Sequence, residues 1–295
     1  MTAHVAVVGD AMLDISARLQ GPLAHASDSP AQIGFHPGGS GANTARWLAR
    51  SGCVTVFIGA VGADPAGELI RRALRADGVL DALHVVPDAA TGACIVLIGL
   101  DGERTMVPDP GANGALSASQ VPDDVLTGHL HLSGYTLLNP ASREAGLTLL
   151  HRARAAGCTV SLDPSSAAPL AAAPQVLDAV IGHVDLIIAN RDEAAVLTGL
   201  EDPDAACRAL AKRYPTAVVK LGADGAVARR ASEQARVAAK PVAVVDTTGA
   251  GDAFAAGLLP AWLEGAGLHA ALEAAAVSAA SAVGRVGAGP PPPAA

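Results

Sequence analysis

The residues best suited to chemistry are those of the stretch DTTGAGD at residues 246–252. Gly249 and Gly251 have no side chain, so backbone N–H groups there can approach a ligand closely. The helix-like run that follows, 253–263, would begin with unpaired N–H groups and a partial positive charge, which suit an anion. Asp252 stands in that first turn, where its carboxylate can take the proton of a nearby hydroxyl. The stretch predicts an anion site beside a base, as phosphoryl transfer to an alcohol requires, although alone it also fits an ordinary capped helix start.

A second group of candidate residues lies near the N-terminus. The sequence GGSGANTA occupies residues 38–45, where Gly39 and its neighbours allow the backbone to approach a small polar molecule. The Asn43 amide offers hydroxyl groups both a donor and an acceptor. Asp10 and Asp14 follow the first strand-like run, where carboxylates can accept hydrogen bonds from vicinal hydroxyls. Taken alone, the glycines also fit a flexible turn before a helix, and the aspartates fit a solvated loop.

Two stretches in the second half of the chain also follow strand-like runs. Asn190 and Glu193 are three residues apart across a helix start, so both can face one cleft. Their oxygens suit Mg²⁺, often through its waters, but the same pair fits a helix capping box. Lys220 ends a strand-like run, and Gly222 and Gly225 follow it. That segment could line a nucleotide, or simply form a hairpin turn.

Other chemistries find less support in the sequence. There is no Gly-x-x-x-x-Gly-Lys-Ser/Thr segment and no Gly-x-Gly-x-x-Gly after the first strand, which disfavours a P-loop and a dinucleotide dehydrogenase. His129 and His131 would share one strand face, but no third metal ligand is near them in sequence. Asp163, followed by proline, closes a strand and fits a structural role.

Composition points to a cytoplasmic protein without a nucleic-acid or membrane partner. The net charge is −8 over 295 residues and aromatic residues make up 2%, whereas nucleic-acid binders are usually basic. The four cysteines are far apart, which favours buried thiols in a reducing compartment. The N-terminus has no signal-peptide pattern, and the apolar run 270–283 is too short and too polar to cross a bilayer.

Short apolar runs alternate with alanine-rich helical stretches, which predicts an α/β fold with a mostly parallel sheet covered on both faces. The expected strands are 5–9, 54–59, 129–133, 159–162, 186–189, 217–221 and 241–245. The expected helices are 41–50, 66–76, 142–156, 192–197, 205–214 and 253–263. Two segments, about 14–37 and 92–108, break the alternation and predict a small accessory sheet within a single domain spanning 1–295. Such a sheet could act as a lid over the carboxyl ends of the main strands.

The two glycine motifs, in this order and at these ends of the chain, resemble the signatures of the ribokinase-like (PfkB-type) carbohydrate kinase family. Asn190-x-x-Glu193 and the GAN stretch at 111–113 also fall where that family has them. The resemblance covers essentially the whole chain, from about residue 5 to 287. It implies a Rossmann-like αβα sandwich with a small β-sheet lid that often serves in dimerisation, and hence a possible homodimer. The lid segments offer few large apolar residues for a strong interface.

The resemblance implies a role for each matching residue. Asp252 would be the catalytic base, beside an anion hole formed by Gly249, Ala250 and Gly251. The acceptor would be held by Asp10, Asp14, Gly39 and Asn43. Nucleotide and Mg²⁺ would be placed by Asn190, Glu193, Lys220, Gly222 and Gly225, with Glu193 acting on the metal through water. A monovalent cation such as K⁺ would bind at Asp246 and Thr248, completed by backbone near Gly287.

The implied reaction is ATP-dependent phosphorylation of a primary hydroxyl on a small sugar of the ribose, fructose or keto-sugar-acid type. Two positions depart from ribokinases proper, which have lysine at the position of Ser40 and a polar residue at that of Met12. The GGS start followed by NTA is also similar to adenosine and other nucleoside kinases, so a nucleoside acceptor stays open. A non-catalytic sugar-binding protein is a more remote alternative, since it would not need Asp252.

Overall fold

The computed structural model describes residues 3–100 and 103–291, and within them thirteen strands form two sheets. The strands are β1 His4–Val8, β2 Met12–Leu19, β3 Ala31–Gly38, β4 Val54–Gly62, β5 Leu80–Val86, β6 Gly92–Ile98, β7 Arg104–Asp109, β8 His129–Ser133, β9 Thr159–Asp163, β10 Leu186–Asn190, β11 Thr216–Lys220, β12 Ala226–Arg230 and β13 Glu233–Val237. The helices of the same residues are α1 Ser40–Arg50, α2 Pro65–Ala76, α3 Gly134–Leu138, α4 Arg143–Ala155, α5 Ala167–Ala172, α6 Arg191–Thr198, α7 Pro203–Leu210, α8 Ala250–Leu263 and α9 Leu268–Val283.

The large sheet has the strand order β13-β12-β11-β10-β9-β8-β1-β4-β5. All pairs from β11 to β5 are parallel, and β12 and β13 add an antiparallel edge. Central strands such as β10 are apolar on successive residues because helices cover both faces. Val5 and Val7 of β1 join a core with α1, α8 and α9, whereas Ala6 and Val8 join one with α4, α6 and α7. These layers confirm the expected αβα sandwich.

The small sheet has the order β3-β2-β6-β7 and comes from the two segments that break the alternation. Residues 101 and 102 of the second segment lie outside the described residues. On one face, Ile15 lies between Phe35 and Ile95 in register, and Val107 follows Ile95. Phe35, Ile95 and Val107 are exposed. The small sheet therefore has an apolar outer row, which corrects the expectation of few large apolar residues.

The helices and strands differ from the sequence-based prediction in three further places. Residues 241–245 form no strand, and the Val245 N–H donates to the Val283 carbonyl at the end of α9. The apolar composition of 241–245 predicted a buried strand, whereas Val244 is exposed to solvent. Helix α8 begins at Ala250, three residues earlier than expected, and the strands β5, β12 and β13 and the helices α3, α5 and α9 were not foreseen. Among the described residues, no helix combines the length and apolarity needed to span a bilayer.

Candidate active site

The carboxyl ends of the parallel strands open into a cavity of about 770 Å³. Asp10 follows β1, and Ser133, Asp163, Asn190 and Lys220 end β8, β9, β10 and β11. The small sheet and the first turn of α8 complete the walls. Open α/β sheets present ligand-binding loops at this edge because every parallel strand ends there.

Asp252 occupies the first turn of α8 and faces this cavity. Its Oδ1 accepts a hydrogen bond from the Ser40 hydroxyl at 2.8 Å, and its Oδ2 accepts one from the Asn43 amide at 3.3 Å. Burial raises the pKa of Asp252 to about 7, and the charges of Asp163 and Asp10 add to this, while Ser40 opposes it. A carboxylate with a pKa near neutrality can accept a proton and release it again at physiological pH.

The N-terminus of α8 is shaped by its glycines. Gly249 caps the helix with φ of 74°, in the left-handed region, and a Cβ there would lie 2.6 Å from the Ala288 carbonyl oxygen. A Cβ on Gly251 would lie 3.3 Å from the Lys220 ammonium, so Lys220 borders the first turn. The Lys220 ammonium pairs with Asp163 at 2.6 Å. The Ala250 N–H, which was predicted to join the anion hole, donates to the Thr247 carbonyl at 3.3 Å and Ala250 does not line the cavity. The backbone at Gly249 and Gly251 does line it, beside the Lys220 ammonium, which suits a phosphate.

Asp10 organises the loop before α1. Its Oδ2 accepts from the Ser40 N–H at 3.0 Å, and its Oδ1 accepts from the Gly41 N–H and the Ser133 hydroxyl, both at 3.2 Å. Gly39 has φ of 94°, and a Cβ there would lie 2.5 Å from the Asp10 carbonyl oxygen. Burial raises the pKa of Asp10 despite these donors. Asp10 therefore fixes the shape of the Gly39 loop and also faces the cavity.

Asp14 and Asn43 bring further polar atoms to the same side of the cavity. Asp14 lies on β2 against Gly38, where a Cβ would meet the Asp14 carboxylate at 2.1 Å. Burial, together with the charges of Asp10 and Asp246, raises the pKa of Asp14 to about 7. The Asn43 Oδ1 is buried without a hydrogen-bond partner. An unpaired buried acceptor is costly unless a ligand supplies a donor.

Asn113 holds the chain between Asp10 and β2 in place. Its Oδ1 accepts from the Ala11 N–H at 2.9 Å, and its amide donates to the Ala11 and Pro110 carbonyls, each at 2.9 Å. Asn113 is buried, and it lies in the GAN stretch that the family resemblance singled out. Its bonds fix the segment that separates Asp10 from the small sheet.

Asn190 and Glu193 form a complete capping box at the start of α6. The Asn190 Oδ1 accepts from the Glu193 N–H, while the two Glu193 oxygens accept from the Asn190 N–H and amide at 2.8 and 2.7 Å. Both residues line the cavity. Burial and the Asp163 charge raise the pKa of Glu193 to about 7. Each carboxylate oxygen keeps a second lone pair, so the capping box is compatible with a water-bridged Mg²⁺.

Asp246 closes the loop before α8 with a full set of donors. Its Oδ1 accepts from the Thr248 N–H at 2.9 Å, the Thr248 hydroxyl at 2.6 Å and the Arg104 guanidinium at 2.8 Å. Its Oδ2 accepts from the Gly287 N–H at 3.0 Å. Although burial opposes them, these groups lower the pKa of Asp246. Three donors share Oδ1, and one of them is the Arg104 guanidinium, so a cation is already present and the Asp246 side chain does not fit a K⁺ ligand.

The remaining sequence candidates lie elsewhere. Gly222 and Gly225, with φ of 62° and 89°, turn the chain from β11 into the antiparallel β12 and do not line the cavity. His129 and His131 share a buried face, where both rings bond to the Ser161 hydroxyl. Burial lowers the pKa of His129 to about 3 and that of His131 to about 4, so both are neutral.

Three residues at the site were not predicted to act there. Asp163 pairs with Lys220, Ser40 bonds to Asp252, and Arg104 reaches Asp246 from the small sheet. Asp163 could have been found, because it ends a buried strand beside the strands that carry Asn190 and Lys220 in the parallel sheet. The contacts of Ser40 and Arg104 join distant parts of the chain, which no local sequence pattern reveals.

An αβα sandwich with a small second sheet, and a carboxylate at a helix N-terminus within the cavity, define the class of ribokinase-like folds. The model of the pfkB family carbohydrate kinase matches residues 2–295. Fructokinase from Klebsiella pneumoniae is 34% identical over 269 residues, covering 88% of this chain and 84% of that protein. The chain belongs to the pfkB family and is an ATP-dependent carbohydrate kinase.

Solved structures show the same architecture. Adenosine kinase from Sinorhizobium meliloti superimposes with a TM-score of 0.89 at 30% identity, covering 98% of this chain and 96% of that one. A putative ribokinase II from E. coli, in complex with ATP and Mg²⁺, gives a TM-score of 0.83 at 28% identity, covering 97% and 94%. The chain is thus similar both to sugar kinases and to a nucleoside kinase.

Proposed function

We propose that this protein transfers the γ-phosphoryl group of ATP to a primary hydroxyl of a small sugar. The observation that carries the proposal is the placement of Asp252. Its carboxylate faces the cavity at the N-terminus of α8, is hydrogen-bonded by Ser40 and Asn43, and has a pKa near 7. It is therefore positioned to take the acceptor's proton as the phosphoryl group arrives at the same helix terminus.

The other cavity residues divide into two groups around Asp252. On the small-sheet side, Asp10, Asp14 and the unpaired Asn43 Oδ1 offer acceptors to the sugar's hydroxyl groups, with Gly39 shaping the loop. The backbone N–H groups of Gly249 and Gly251 form the anion hole for the transferred group, while the Ala250 N–H holds the turn through the Thr247 carbonyl. Lys220 borders that turn and adds positive charge.

The nucleotide and its metal fit the opposite side of the cavity. The E. coli relative was solved with ATP and Mg²⁺, which supports the same pair here. Glu193 and Asn190 would hold Mg²⁺ through its waters, and bound Mg²⁺ would offset the charge of the phosphates. Gly222 and Gly225 do not line the cavity. We therefore propose that they shape the turn near the nucleotide and make no direct contact with it.

We also propose that residues 1–295 act as one kinase unit whose small sheet is a lid and a homodimer interface. Its inner side lines the cavity, which favours exclusion of water during transfer. Its outer apolar row, which begins with Phe35 on the edge strand β3, suits pairing with a second copy. Phe35→Asp should give a monomer in light scattering, whereas Leu23→Asp, in the exposed loop after β2, should not. Equal masses for both variants would refute the interface.

We propose a cytoplasmic location as well. The four cysteines are unpaired and buried, which agrees with a reducing compartment that also supplies ATP.

A nucleoside acceptor is the second candidate, and one feature of the cavity favours it. Next to the small sheet, the wall is apolar and is formed by Met106, Pro108, Pro110, Leu116, Leu138 and Pro140. A sugar alone has little apolar surface to place there, whereas a nucleobase would bury a flat face against it.

An acceptor screen separates the two candidates. ATP-dependent ADP release and product mass would be measured with ribose, fructose, 2-keto-3-deoxygluconate, adenosine, cytidine and pseudouridine. A sugar with the highest kcat/KM supports the first candidate, and a nucleoside with the highest value supports the second. Met106→Ala provides a matched variant, since Met106 is exposed on β7 and borders the apolar wall. It should lower kcat/KM for a nucleoside and leave that for a free sugar unchanged.

A further inference from the structure

Arg104 connects the small sheet to the loop that precedes the anion-binding helix. It is the first residue of β7, yet its guanidinium donates to the Asp246 carboxylate at 2.8 Å and to the hydroxyls of Thr247 and Thr248. The Arg104 side chain is 24% exposed and that of Asp246 is 11% exposed. The contact is therefore a largely buried ion pair between two parts of the chain that are 142 residues apart.

The geometry of this contact suits arginine. A guanidinium is planar and presents several N–H groups in a fixed fork, so one side chain can bond three acceptors at once. Here one of its nitrogens serves Asp246 and Thr248 and the other serves Thr247. A lysine ammonium at the same place would bring the charge without the fork.

The acceptors that Arg104 bonds include the two side chains at which the family resemblance implies a monovalent cation. At Asp246, Oδ1 also accepts hydrogen bonds from the Thr248 N–H and hydroxyl. Oδ2 accepts one from the Gly287 N–H, so the backbone at Gly287 presents a donor there and not a carbonyl oxygen that could bind a cation. A cation ligand needs a free lone pair, whereas three donors share Asp246 Oδ1. A second positive charge beside the guanidinium would also be repelled.

We propose that Arg104 takes the place of the monovalent cation, so that the loop before α8 is ordered by a charge carried on the small sheet and not by K⁺. This inference rests on the proposed function of the α8 N-terminus as the anion site. Two consequences follow. Activity should not depend on K⁺, and the anion site should be fully ordered only when the small sheet is docked on the loop.

The first arm of the test needs no acceptor. Thermal unfolding of the wild type would be followed in KCl and in choline chloride at the same ionic strength, and the Tm should be the same. Arg104→Gln removes the charge but keeps a polar side chain, and its Tm should be higher in KCl by about 2 to 4 °C. Arg18→Gln, an exposed arginine on β2 of the same sheet, is the matched control and should respond like the wild type.

The second arm measures turnover with the acceptor found in the screen. The ratio of kcat/KM in KCl to that in choline chloride should be near one for the wild type and for Arg18→Gln. For Arg104→Gln it should be at least about 5, the lower end of coupling between linked sites. Arg104→Lys keeps the charge and should restore a ratio near one even where its activity is reduced.

K⁺-specific stabilisation or activation of the wild type would overturn the inference. So would a K⁺-independent Arg104→Gln, because the guanidinium would then not occupy the cation's place. If Arg104→Gln does not fold, the wild type and Arg104→Lys still decide the question. If no acceptor is turned over, the proposed function fails, while the thermal arm continues to report on the cation.

Discussion

Replacement of Asp252 by asparagine separates catalysis from stability. The variant keeps the size of the side chain and a polar contact to Ser40 but removes the proposed proton acceptor. Loss of a general base costs about 10² to 10⁴ in rate, equivalent to about 3 to 5 kcal/mol of transition-state stabilisation. We expect kcat to fall by that factor, with a smaller change in the KM for ATP.

The same substitution should stabilise the folded protein. Burial raises the pKa of Asp252 from 3.8 to about 7, so the folded state holds a proton that the unfolded state has lost between these pH values. Stability from this group is therefore present below pH 3.8 and is lost as pH rises to about 7. The difference of about 3 pH units corresponds to at most ~4 kcal/mol, an upper limit because the cavity opens to solvent. Above pH 7, Asp252→Asn should therefore unfold at a higher temperature than the wild type.

The pH dependence of turnover gives the assay. In the wild type, kcat/KM for the acceptor should fall about tenfold per pH unit below about 7, as the base becomes protonated. Asp14 and Glu193 also have pKa values raised to about 7, so the profile alone cannot assign this limb. The residual activity of Asp252→Asn should therefore not show this fall of kcat/KM below about pH 7. Near-normal turnover, or a variant less stable than the wild type at pH 8, would refute the reasoning.

Three further substitutions test the surroundings of the base. Ser40→Ala removes a hydrogen bond of about 1 kcal/mol that lowers the pKa of Asp252. The acidic limb of the kcat/KM profile should therefore move to higher pH by less than about one unit. An unmoved limb would argue against this contact. Gly251→Val places a side chain at the anion site and should raise the KM for ATP far more than acceptor affinity, measured by steady-state kinetics and titration calorimetry. Glu193→Gln keeps one oxygen for the Asn190 N–H but loses the acceptor of the Asn190 amide, so the free energy of unfolding should fall by about 1 to 3 kcal/mol while the Mg²⁺ concentration for half-maximal rate rises. An unchanged Mg²⁺ requirement would limit Glu193 to the cap.

Much of the fold follows from local patterns. Apolar runs such as β10 and β11 are buried on both faces, and their period and length are visible in sequence. The start of α2 is equally readable, because aspartate followed by proline is typical of a helix start, and Asp64 caps this helix. In contrast, 241–245 has the composition of a strand but pairs with no strand, and its Val245 N–H bonds to the end of α9. Local composition does not say whether an apolar segment will find a neighbouring strand.

The site was predictable where its residues follow strands and invisible where it depends on contacts between distant segments. Asp10, Asn190 and Lys220 were found because parallel strands bring their carboxyl ends together. The pairing of Ser40 with Asp252 joins residues 212 apart, and the reach of Arg104 depends on how the small sheet docks. Both are properties of tertiary packing, and so is the exclusion of Gly222 from the cavity.

Asp246 and Asp252 show how donors, rather than residue type, assign roles within one loop. Asp246 receives four hydrogen bonds, one from a guanidinium, and its pKa falls. Asp252 is more deeply buried, receives two hydrogen bonds from uncharged side chains and shares the cavity with Asp163 and Asp10, so its pKa rises. A carboxylate held by four donors has no reason to take a proton at neutral pH, whereas a buried one with two donors among like charges does. The loop therefore carries one fixed anion and one carboxylate suited to the proposed role of base, because the small sheet and the Gly287 backbone reach the first aspartate and not the second.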